Sequence, residues 1–410
     1  MICGLLGRTL GHSYSPQIHA QLADYSYSLF EKEPEEVESF LKSNEYSGLN
    51  VTIPYKKTVI PYCDQLTPIA RRLGAVNTIV KKNDGTLLGH NSDYYGFRSM
   101  VDRSKLSVRE KKVLILGSGG ASATAVAVIE DLGGYPIVIS RNGENNYNNI
   151  HIHYDAAMII NATPVGMYPN TADSPIAIDP FMQLEGVFDL IYNPAHTALL
   201  QQAEKRGIVA INGLWMLVAQ AKESAELFID RKIKDDVVAT IYNTLRFQTE
   251  NIVLIGMPGS GKSTVGKALA EKLSRDFIDI DEEIVNRTGR PIPKIFETQG
   301  ESAFRDLETA VLADICNRSG LVIATGGGCI TKERNYPLLR QNGRIVWIKR
   351  DLSKLPTAGR PLSQQNKLEE LYKIRKPLYE AFSDLSVQST EAPAITADLI
   401  INKIKEVHDK

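Results

Sequence analysis

Cysteine is scarce in this chain and scattered. Four are present, at positions 3, 63, 316 and 329, with no C-x-x-C spacing and no histidine nearby in a ligand pattern. That argues against a structural zinc and for a reducing compartment. Neither charge sign dominates, and the net charge is -1. Residues 1–249 hold 23 basic against 26 acidic side chains, net −3, and residues 250–410 hold 24 against 22, net +2. Neither half has the basic excess that nucleic-acid binding needs. No apolar run approaches the ~18 residues of a membrane span. Met1-Ile2-Cys3-Gly4 opens without the basic region and apolar core of a signal peptide. The expectation is a soluble, cytoplasmic protein with neither nucleic acid nor membrane as partner. Internal repeats are absent too. What is there is an ordinary globular composition, 43% hydrophobic, over 410 residues, enough for two or three domains.

The most informative stretch is Gly256-Met257-Pro258-Gly259-Ser260-Gly261-Lys262-Ser263-Thr264, a full G-x-x-x-x-G-K-[ST]. An apolar run, Ile252 to Ile255, precedes it, and a helical pattern, Val265 to Leu273, follows. That context is what a phosphate-cradling loop requires. Gly256, Gly259, Ser260, Gly261 and Thr264 would present backbone N–H groups, Lys262 would reach the terminal phosphates, and Ser263 would ligate Mg²⁺. A bare strand-to-helix turn would not explain Lys262-Ser263. Because such a loop opens its own domain and 255 residues precede it here, a second function lies upstream.

Upstream, a short strand over Ile2 to Gly7 leads to Ser13-Tyr14-Ser15-Pro16. Ser15 before Pro16 reads as the N-cap of a helix reaching about Tyr25. Ser13 is not needed as a cap, so two hydroxyls at a helix N-terminus would suit a carboxylate. Three apolar stretches are then interrupted by polar residues near their ends: Gly48 to Lys56, Gly74 to Val80 with Asn77, and Gly89 to Asp93. Any one reads as a turn or a surface charge. Three at neighbouring strand ends suggest a pocket. Val113 to Leu116 is a buried strand, followed by Gly117-Ser118-Gly119-Gly120-Ala121-Ser122 and a helix from Ala121 to Leu132. This is a dinucleotide-binding turn in its proper context. The next strand, Ile137 to Ile139, ends in Ser140-Arg141-Asn142, with no acid for a ribose hydroxyl. Arg141 suits a 2′-phosphate, which favours NADP; a solvated loop arginine is the other reading. Asn142 to Tyr154 reads as an asparagine-rich loop. Strands follow at Met158 to Pro164 and Val187 to Tyr192, then helices from about Thr197, from Asn212 with Gln220 on its apolar face, and over about 231–246.

In the second half, Phe277 to Asp281 reads as a strand ending in two acids. Asp279 and Asp281, at i and i+2, would share one face and call for Mg²⁺ and a substrate hydroxyl between them. A plain N-cap role for Asp281 is the other reading. Phe304-Arg305 and Glu308 lie one helical turn apart, a strand over Leu321 to Thr325 runs into Gly326-Gly327-Gly328, and Arg344 to Ile348 is another strand. Arg360 and Arg375 bring basic residues from the later part of the chain.

Taken in order, these motifs resemble two families. Residues 1–245 are similar to shikimate dehydrogenase through Ser13 to Pro16, Asn50 to Lys56, Gly74 to Thr78, Asn91-Ser92-Asp93, Asn161-Ala162-Thr163 and Gly213 to Gln220. Residues 250–410 resemble shikimate kinase through the phosphate loop, Asp279-Ile280-Asp281, Gly300-Glu301 with Phe304-Arg305, the three glycines, Arg360-Pro361-Leu362 and Arg375 with Pro377-Leu378-Tyr379. The resemblance implies an α/β fold throughout. An α/β substrate domain over 1–100, joined by helices in 213–246, and a Rossmann-like NADP domain over 101–212 would be fused to a P-loop domain over 250–410. That last domain would be like the nucleoside-monophosphate kinases, with a parallel sheet. It implies Lys56 and Asp93 as the catalytic pair, Ser13 and Ser15 on the substrate carboxylate, and Thr52, Asn77 and Gln220 on ring hydroxyls, with Tyr192 closing the site. Gly117 to Ala121, Ser140, Arg141, Asn142, Asn161, Thr163 and Gly213 would line NADPH. In the second half Asp281 would orient the attacking hydroxyl and Asp279 would sit by Mg²⁺. Arg305, Arg375, Gly327 and Gly328 would hold the substrate, and Lys262 and Arg360 would face the transferring phosphoryl group of ATP. The substrates would be 3-dehydroshikimate and shikimate. The interval between Arg141 and Asn161 is shorter than in the family, so a trimmed cofactor domain is expected. The segment before Arg360 is short as well, so a short lid is expected. A quinate- or shikimate-sensing regulator built from the same domains is the alternative from another class. It would not need Lys56, Asp93, Lys262, Ser263 and Asp281 together. A first half that also takes quinate stays open, as does oligomeric state.

Overall fold

The central strands explain the architecture. Lys112–Leu116 places Val113 and Ile115 in one apolar cluster and Leu114 and Leu116 in another. Asn251–Ile255 does the same with Val253 and Ile255 against Ile252 and Leu254. A strand buried on both faces reads as a continuous apolar run and belongs in a parallel sheet covered by helices on each side. A computed structural model of the chain describes residues 1–11, 13–355 and 365–408 and shows both sheets, plus a mixed one before them.

The mixed sheet holds β1 (Ile2–Gly7), β2 (Ser26–Glu31), β3 (Gly48–Val51), β4 (Gln65–Leu66), β5 (Thr78–Lys81) and β6 (Leu87–His90), in the order β2-β1-β3-β5-β6-β4. The β3–β5 and β5–β6 pairs are antiparallel and the rest parallel. The second sheet holds β7 (Lys112–Leu116), β8 (Tyr135–Ile139), β9 (Met158–Asn161), β10 (Gly186–Asp189) and β11 (Val209–Asn212), all parallel, in the order β11-β10-β9-β7-β8. The third holds β12 (Asn251–Ile255), β13 (Phe277–Asp279), β14 (Val322–Ala324), β15 (Gly343–Lys349) and β16 (Leu385–Gln388), also all parallel, in the order β13-β14-β12-β15-β16.

The chain forms two compact units. One comprises Met1–Met167, Ala172–Tyr192 and Leu199–Thr244. The other comprises Leu245–Lys410 with two short stretches from earlier in the chain, Tyr168–Thr171 and Asn193–Ala198. In the first unit, β8 ends the second sheet, and between β8 and β9 only a short 3-10 turn, Ile150–His153, is regular. The stretch is shorter than a strand–helix addition needs, which is why β8 is left at the edge. No helix among the described residues is long and apolar enough to cross a membrane.

Local expectations shift at several element ends, and three of these bear on candidate residues. The first helix is Ser15–Leu22 with Tyr14 at the N-cap and no side-chain cap bond, so Ser15 is its first residue; the Ser15 backbone N–H donates to Ser13 Oγ at 3.2 Å. The strand at Gly48 ends at Val51, because Thr52 to Tyr55 forms a turn closed by Tyr55 N–H to Thr52 O, 2.9 Å. The stretch 277–281 is not one strand. It ends at Asp279, which caps the helix Ile280–Thr288 by accepting from Asp281 N and Glu282 N at 3.0 and 3.4 Å. Asp281 therefore sits in the first turn of a helix, not on a strand face beside Asp279.

Helix Asp93–Ser104 packs closely on helix Leu214–Ile229. The helices approach tightly at Gly96, where a Cβ would meet Met216 O at 2.7 Å and Gln220 Cβ at 2.8 Å. The missing side chain sets the spacing between the helix that starts with Asp93 and the one that carries Gln220. Glycine inside a helix normally costs about 1 kcal/mol against alanine. Here the sign should reverse. Gly96→Ala should lower stability by about 1–3 kcal/mol through overpacking against backbone, read as a lower thermal midpoint. A raised midpoint would show that the two helices move apart freely.

Candidate functional sites

In the first unit, backbone bonds gather the polar residues that interrupt the strands. Val76 N–H donates to Lys56 O at 2.8 Å and Asn77 N–H to His90 O at 3.1 Å. Lys56, Asn77 and the turn before Asp93 are thereby held at one end of the mixed sheet. Lys56 Nζ donates to Asp93 Oδ2 at 2.6 Å, with the two side chains 31% and 17% exposed. The pair is shielded from bulk water yet open on one side, the condition in which a lysine can exchange a proton with a ligand. Asp93 opens its helix, where a negative charge is favoured by the helix dipole.

The other expected residues are grouped in subsets by their own contacts. Ser13 Oγ donates to Ser15 Oγ at 3.0 Å. The Tyr192 ring lies 6.0 Å from that of Tyr14, centroid to centroid, which ties Tyr192 to the two serines. Thr52 hydrogen-bonds its N–H to Leu6 O at 2.9 Å, fixing it beside the end of β1. Asn77 and Gln220 meet through Ser92: Asn77 Nδ2 donates to Ser92 Oγ at 3.0 Å, and Ser92 Oγ donates to Gln220 Oε1 at 3.2 Å. Asn50, Thr78, Ser92 and Ser224 complete a buried polar network that sequence reasoning missed. A signal existed for two of them, since Asn50 and Thr78 are polar residues inside apolar strand runs. Nothing local marked Ser224.

The second sheet reverses its strand order between β7 and β9, where doubly wound folds place a dinucleotide. Gly117, at φ 106°, follows β7, and Ala162 and Thr163 follow β9; a Cβ at 117 would touch Thr163 Cγ2 at 3.0 Å and Ala162 O at 3.1 Å. Gly119 is the N-cap and Gly120 the first residue of the next helix, and a Cβ on either would meet nothing within 4 Å. That leaves room above Ser118 to Ala121 for a pyrophosphate on the helix N-terminus. Ser140, Arg141 and Asn142 follow β8, and Arg141 is exposed. Asn161 is committed internally: its Nδ2 donates to Asp189 Oδ1 at 3.0 Å, and its Oδ1 accepts from Thr163 N and Oγ1 at 3.0 and 2.7 Å. Gly213 has a packing reason of its own, since a Cβ there would lie 2.1 Å from Leu190 O.

In the second unit the loop after β12 has Gly256, Gly259 and Gly261 at positive φ. Lys262 is buried, with Nζ donating to Gly256 O and Met257 O at 2.9 and 3.0 Å. Ser260 is buried beneath the loop and Thr264 is exposed on the helix that follows. Ser263 Oγ donates to Asp279 Oδ2 at 2.5 Å, so the two oxygens expected at a metal do meet. Two protein oxygens beside a phosphate loop suit Mg²⁺, which keeps several waters and takes phosphate oxygens. The three glycines form the meeting point of the remaining residues. A Cβ at 326 would meet Glu308 Oε1 at 2.6 Å and Asp281 Oδ1 at 2.9 Å, and one at 328 would meet Arg305 Nη2 at 2.1 Å. Gly327 O accepts from Arg375 Nη1 at 3.1 Å and from Tyr379 OH at 2.6 Å. Asp281, Arg305 and Arg375 thus surround one glycine turn. Arg360 and part of the expected short lid, 356–359, lie outside the described residues.

Arg305 Nη1 donates to Glu308 Oε2 at 2.8 Å, and the Glu308 side chain is fully buried. Burial pushes the Glu308 carboxyl up to about 7; Arg305 opposes this, and the charge of Asp281 adds to it.

Comparisons with known proteins fit this division. Residues 258–406 match the family model for shikimate kinase, and residues 5–79 match that for the shikimate dehydrogenase substrate binding domain. Among curated relatives, a shikimate dehydrogenase (NADP(+)) of Clostridium perfringens is 35% identical over 266 residues, 59% of this chain and 97% of that protein. Among solved structures, a chorismate mutase/shikimate 5-dehydrogenase fusion protein from Clostridium acetobutylicum is 34% identical at a TM-score of 0.57, covering 60% of this chain and 96% of that one. Shikimate dehydrogenase 1 from Peptoclostridium difficile is 36% identical at a TM-score of 0.55, covering 60% and 97%.

The raised pKa of Glu308 has a stability consequence. The folded protein binds this proton up to about pH 7, whereas the unfolded chain releases it near 4.5. Folding takes up a proton in that window, so the folded state loses stability as pH rises through it. The thermal midpoint of the wild type should fall relative to that of Glu308→Gln from about pH 5 to about pH 7 and then level off. Parallel profiles would show that Glu308 is ionised throughout, held so by Arg305.

Proposed function

The chain belongs to the shikimate dehydrogenase family over its first 59% and carries a shikimate kinase domain in the remainder, and on that footing we propose a bifunctional enzyme of aromatic biosynthesis. The first unit reduces 3-dehydroshikimate to shikimate with NADPH. The second phosphorylates shikimate at its 3-hydroxyl with MgATP. The observation that carries this reading is that one chain forms both a Lys56–Asp93 pair at 2.6 Å, suited to proton transfer, and a Ser263–Asp279 pair at 2.5 Å, suited to Mg²⁺. A sensor without chemistry would require neither.

NADPH supplies hydride and MgATP supplies the phosphoryl group; the rest of the work falls to side chains. Reduction of a ketone places negative charge on its oxygen, which needs a proton and a nearby cation. Lys56 Nζ provides both, and Asp93 keeps it oriented. Ser13 and Ser15 hold the substrate carboxylate, with Tyr192 closing over them. Thr52, Asn77 and Gln220 receive the ring hydroxyls. Gly117 to Ala121, with Thr163, make the cofactor floor, and Arg141 faces the 2′-phosphate. In the second unit Asp281 accepts the proton of the attacking hydroxyl. Arg305 and Arg375 grip the carboxylate across the three-glycine turn in charge-assisted bonds. Lys262, with Arg360 from outside the described residues, offsets charge on the phosphoryl group, where positioning and electrostatics provide the catalysis.

Two experiments test the reading. With 3-dehydroshikimate, NADPH and MgATP, the intact protein should oxidise NADPH and release ADP in equal amounts. Lys262→Ala should lower kinase turnover on the order of 10²–10³-fold while leaving reduction intact. Lys56→Ala should do the reverse, and a mixture of the two variants should restore shikimate 3-phosphate. Loss of both activities in a folded Lys262→Ala protein would refute two independent sites. Separately, Arg141→Ala should raise the KM for NADPH far more than that for NADH; equal losses would remove Arg141 from the 2′-phosphate.

A further inference from the structure

Three hydroxyls lie buried at one point beside Asn77 and Gln220. Thr78 Oγ1 is 2.8 Å from Ser224 Oγ and 3.2 Å from Ser92 Oγ, and Ser224 Oγ is 2.9 Å from Ser92 Oγ. All three side chains are fully inaccessible. They come from β5, from the turn before the Asp93 helix, and from helix Leu214–Ile229. Asn50 Nδ2, on β3, donates into the ring at Ser224 Oγ, 2.8 Å.

The ring fixes the orientation of two amides. Asn77 Oδ1 accepts from Ser92 N–H at 2.7 Å and from Thr78 Oγ1 at 3.1 Å, so its oxygen must face inward. Gln220 Nε2 donates to Leu217 O at 3.0 Å, and a carbonyl can only accept, so Gln220 Oε1 is the atom facing the Ser92 hydroxyl at 3.2 Å. Each amide has two N–H groups. One of Asn77 goes to Ser92 Oγ and one of Gln220 to Leu217 O; the second of each has no partner among the described residues. A hydroxyl has one proton and two lone pairs. Ser224 Oγ, already accepting from Asn50, therefore has one proton for Ser92 Oγ, Thr78 Oγ1 or Gln220 O, which lies at 3.0 Å. Its presence is what closes the ring.

We infer that Thr78, Ser92 and Ser224 are positioning residues for substrate. Their ring holds both amide oxygens inward, so that Asn77 and Gln220 offer only N–H donors to the hydroxyl oxygens of a polyhydroxylated ring acid. The inference rests on the reading of Asn77 and Gln220 as substrate contacts and adds the device that aims them. A site of this kind discriminates by hydroxyl position, because a misplaced hydroxyl leaves a buried donor unpaired.

The test uses the full chain with 3-dehydroshikimate and NADPH. Thr78→Val keeps the shape and removes one ring hydroxyl; Ser224→Ala removes another; Thr78→Ser restores the first. Thr78→Val and Ser224→Ala should each raise the KM for 3-dehydroshikimate about ten-fold, with the KM for NADPH unchanged, and Thr78→Ser should behave as the wild type. Thr78→Val carries the test by itself if Ser224→Ala does not fold. Asn77→Ala is measured alongside. If it raises the KM while Thr78→Val does not, the ring has no part in aiming the amides. If Asn77→Ala leaves the KM unchanged, the substrate reading of this site is what fails. Equal increases in both KM values for Thr78→Val would mark the ring as a support of the fold alone and overturn the proposal.

Discussion

A parallel strand buried on both faces has no solvent side on which to carry a polar group, and much of this molecule follows from that. In β7 and β12 every side chain between the ends is committed to one of two apolar clusters. Chemistry can appear only where a strand stops. Each of these central strands stops at a glycine with positive φ, Gly117 and Gly256, and each turn leads into a helix whose first N–H groups face outward. The two turns look alike because they solve the same problem of ending a buried strand beside a polyanion.

The two substrate regions handle charge differently. Lys56 and Asp93 are partly exposed, so their pairing needs little compensation for lost hydration. Arg305 and Glu308 are buried, and a buried ion pair is costly unless its remaining atoms are also engaged. Arg305 reaches Glu301 as well, at 3.3 Å, while Glu308 Oε1 faces the turn where Asp281 Oδ1 also lies. The second unit thus holds its arginine in place with carboxylates from its own helix. The first unit relies on neutral groups instead. Its amides and hydroxyls form a buried network that needs no counterion.

Motifs confined to a few consecutive residues were legible. The phosphate loop, the dinucleotide turn and the buried runs that became β7, β9, β12 and β15 followed from spacing and composition, and the shortened stretch after Arg141 from the resemblance to the family. Boundaries were less secure where backbone bonds decided them. Tyr14 took the N-cap position expected of Ser15, and Asp279 took the one weighed for Asp281. The residue pattern was the same in each case, and the turn geometry assigned the parts.

The sequence by itself determined which residue types were available and which local structures would carry them: a lysine after a strand, an aspartate before a helix, glycines where a phosphate must approach. Only the tertiary structure decided which of them meet. Lys56 and Asp93 are 37 residues apart, Ser92 and Gln220 are 128 apart, and Asn50 and Ser224 are 174 apart. Periodicity reports the face of a helix or strand on which a residue lies; it is silent about which distant face will be packed against it. That choice is made by the burial of whole apolar faces and by close approaches such as Gly96 against Met216, and the polar contacts are carried into place by it.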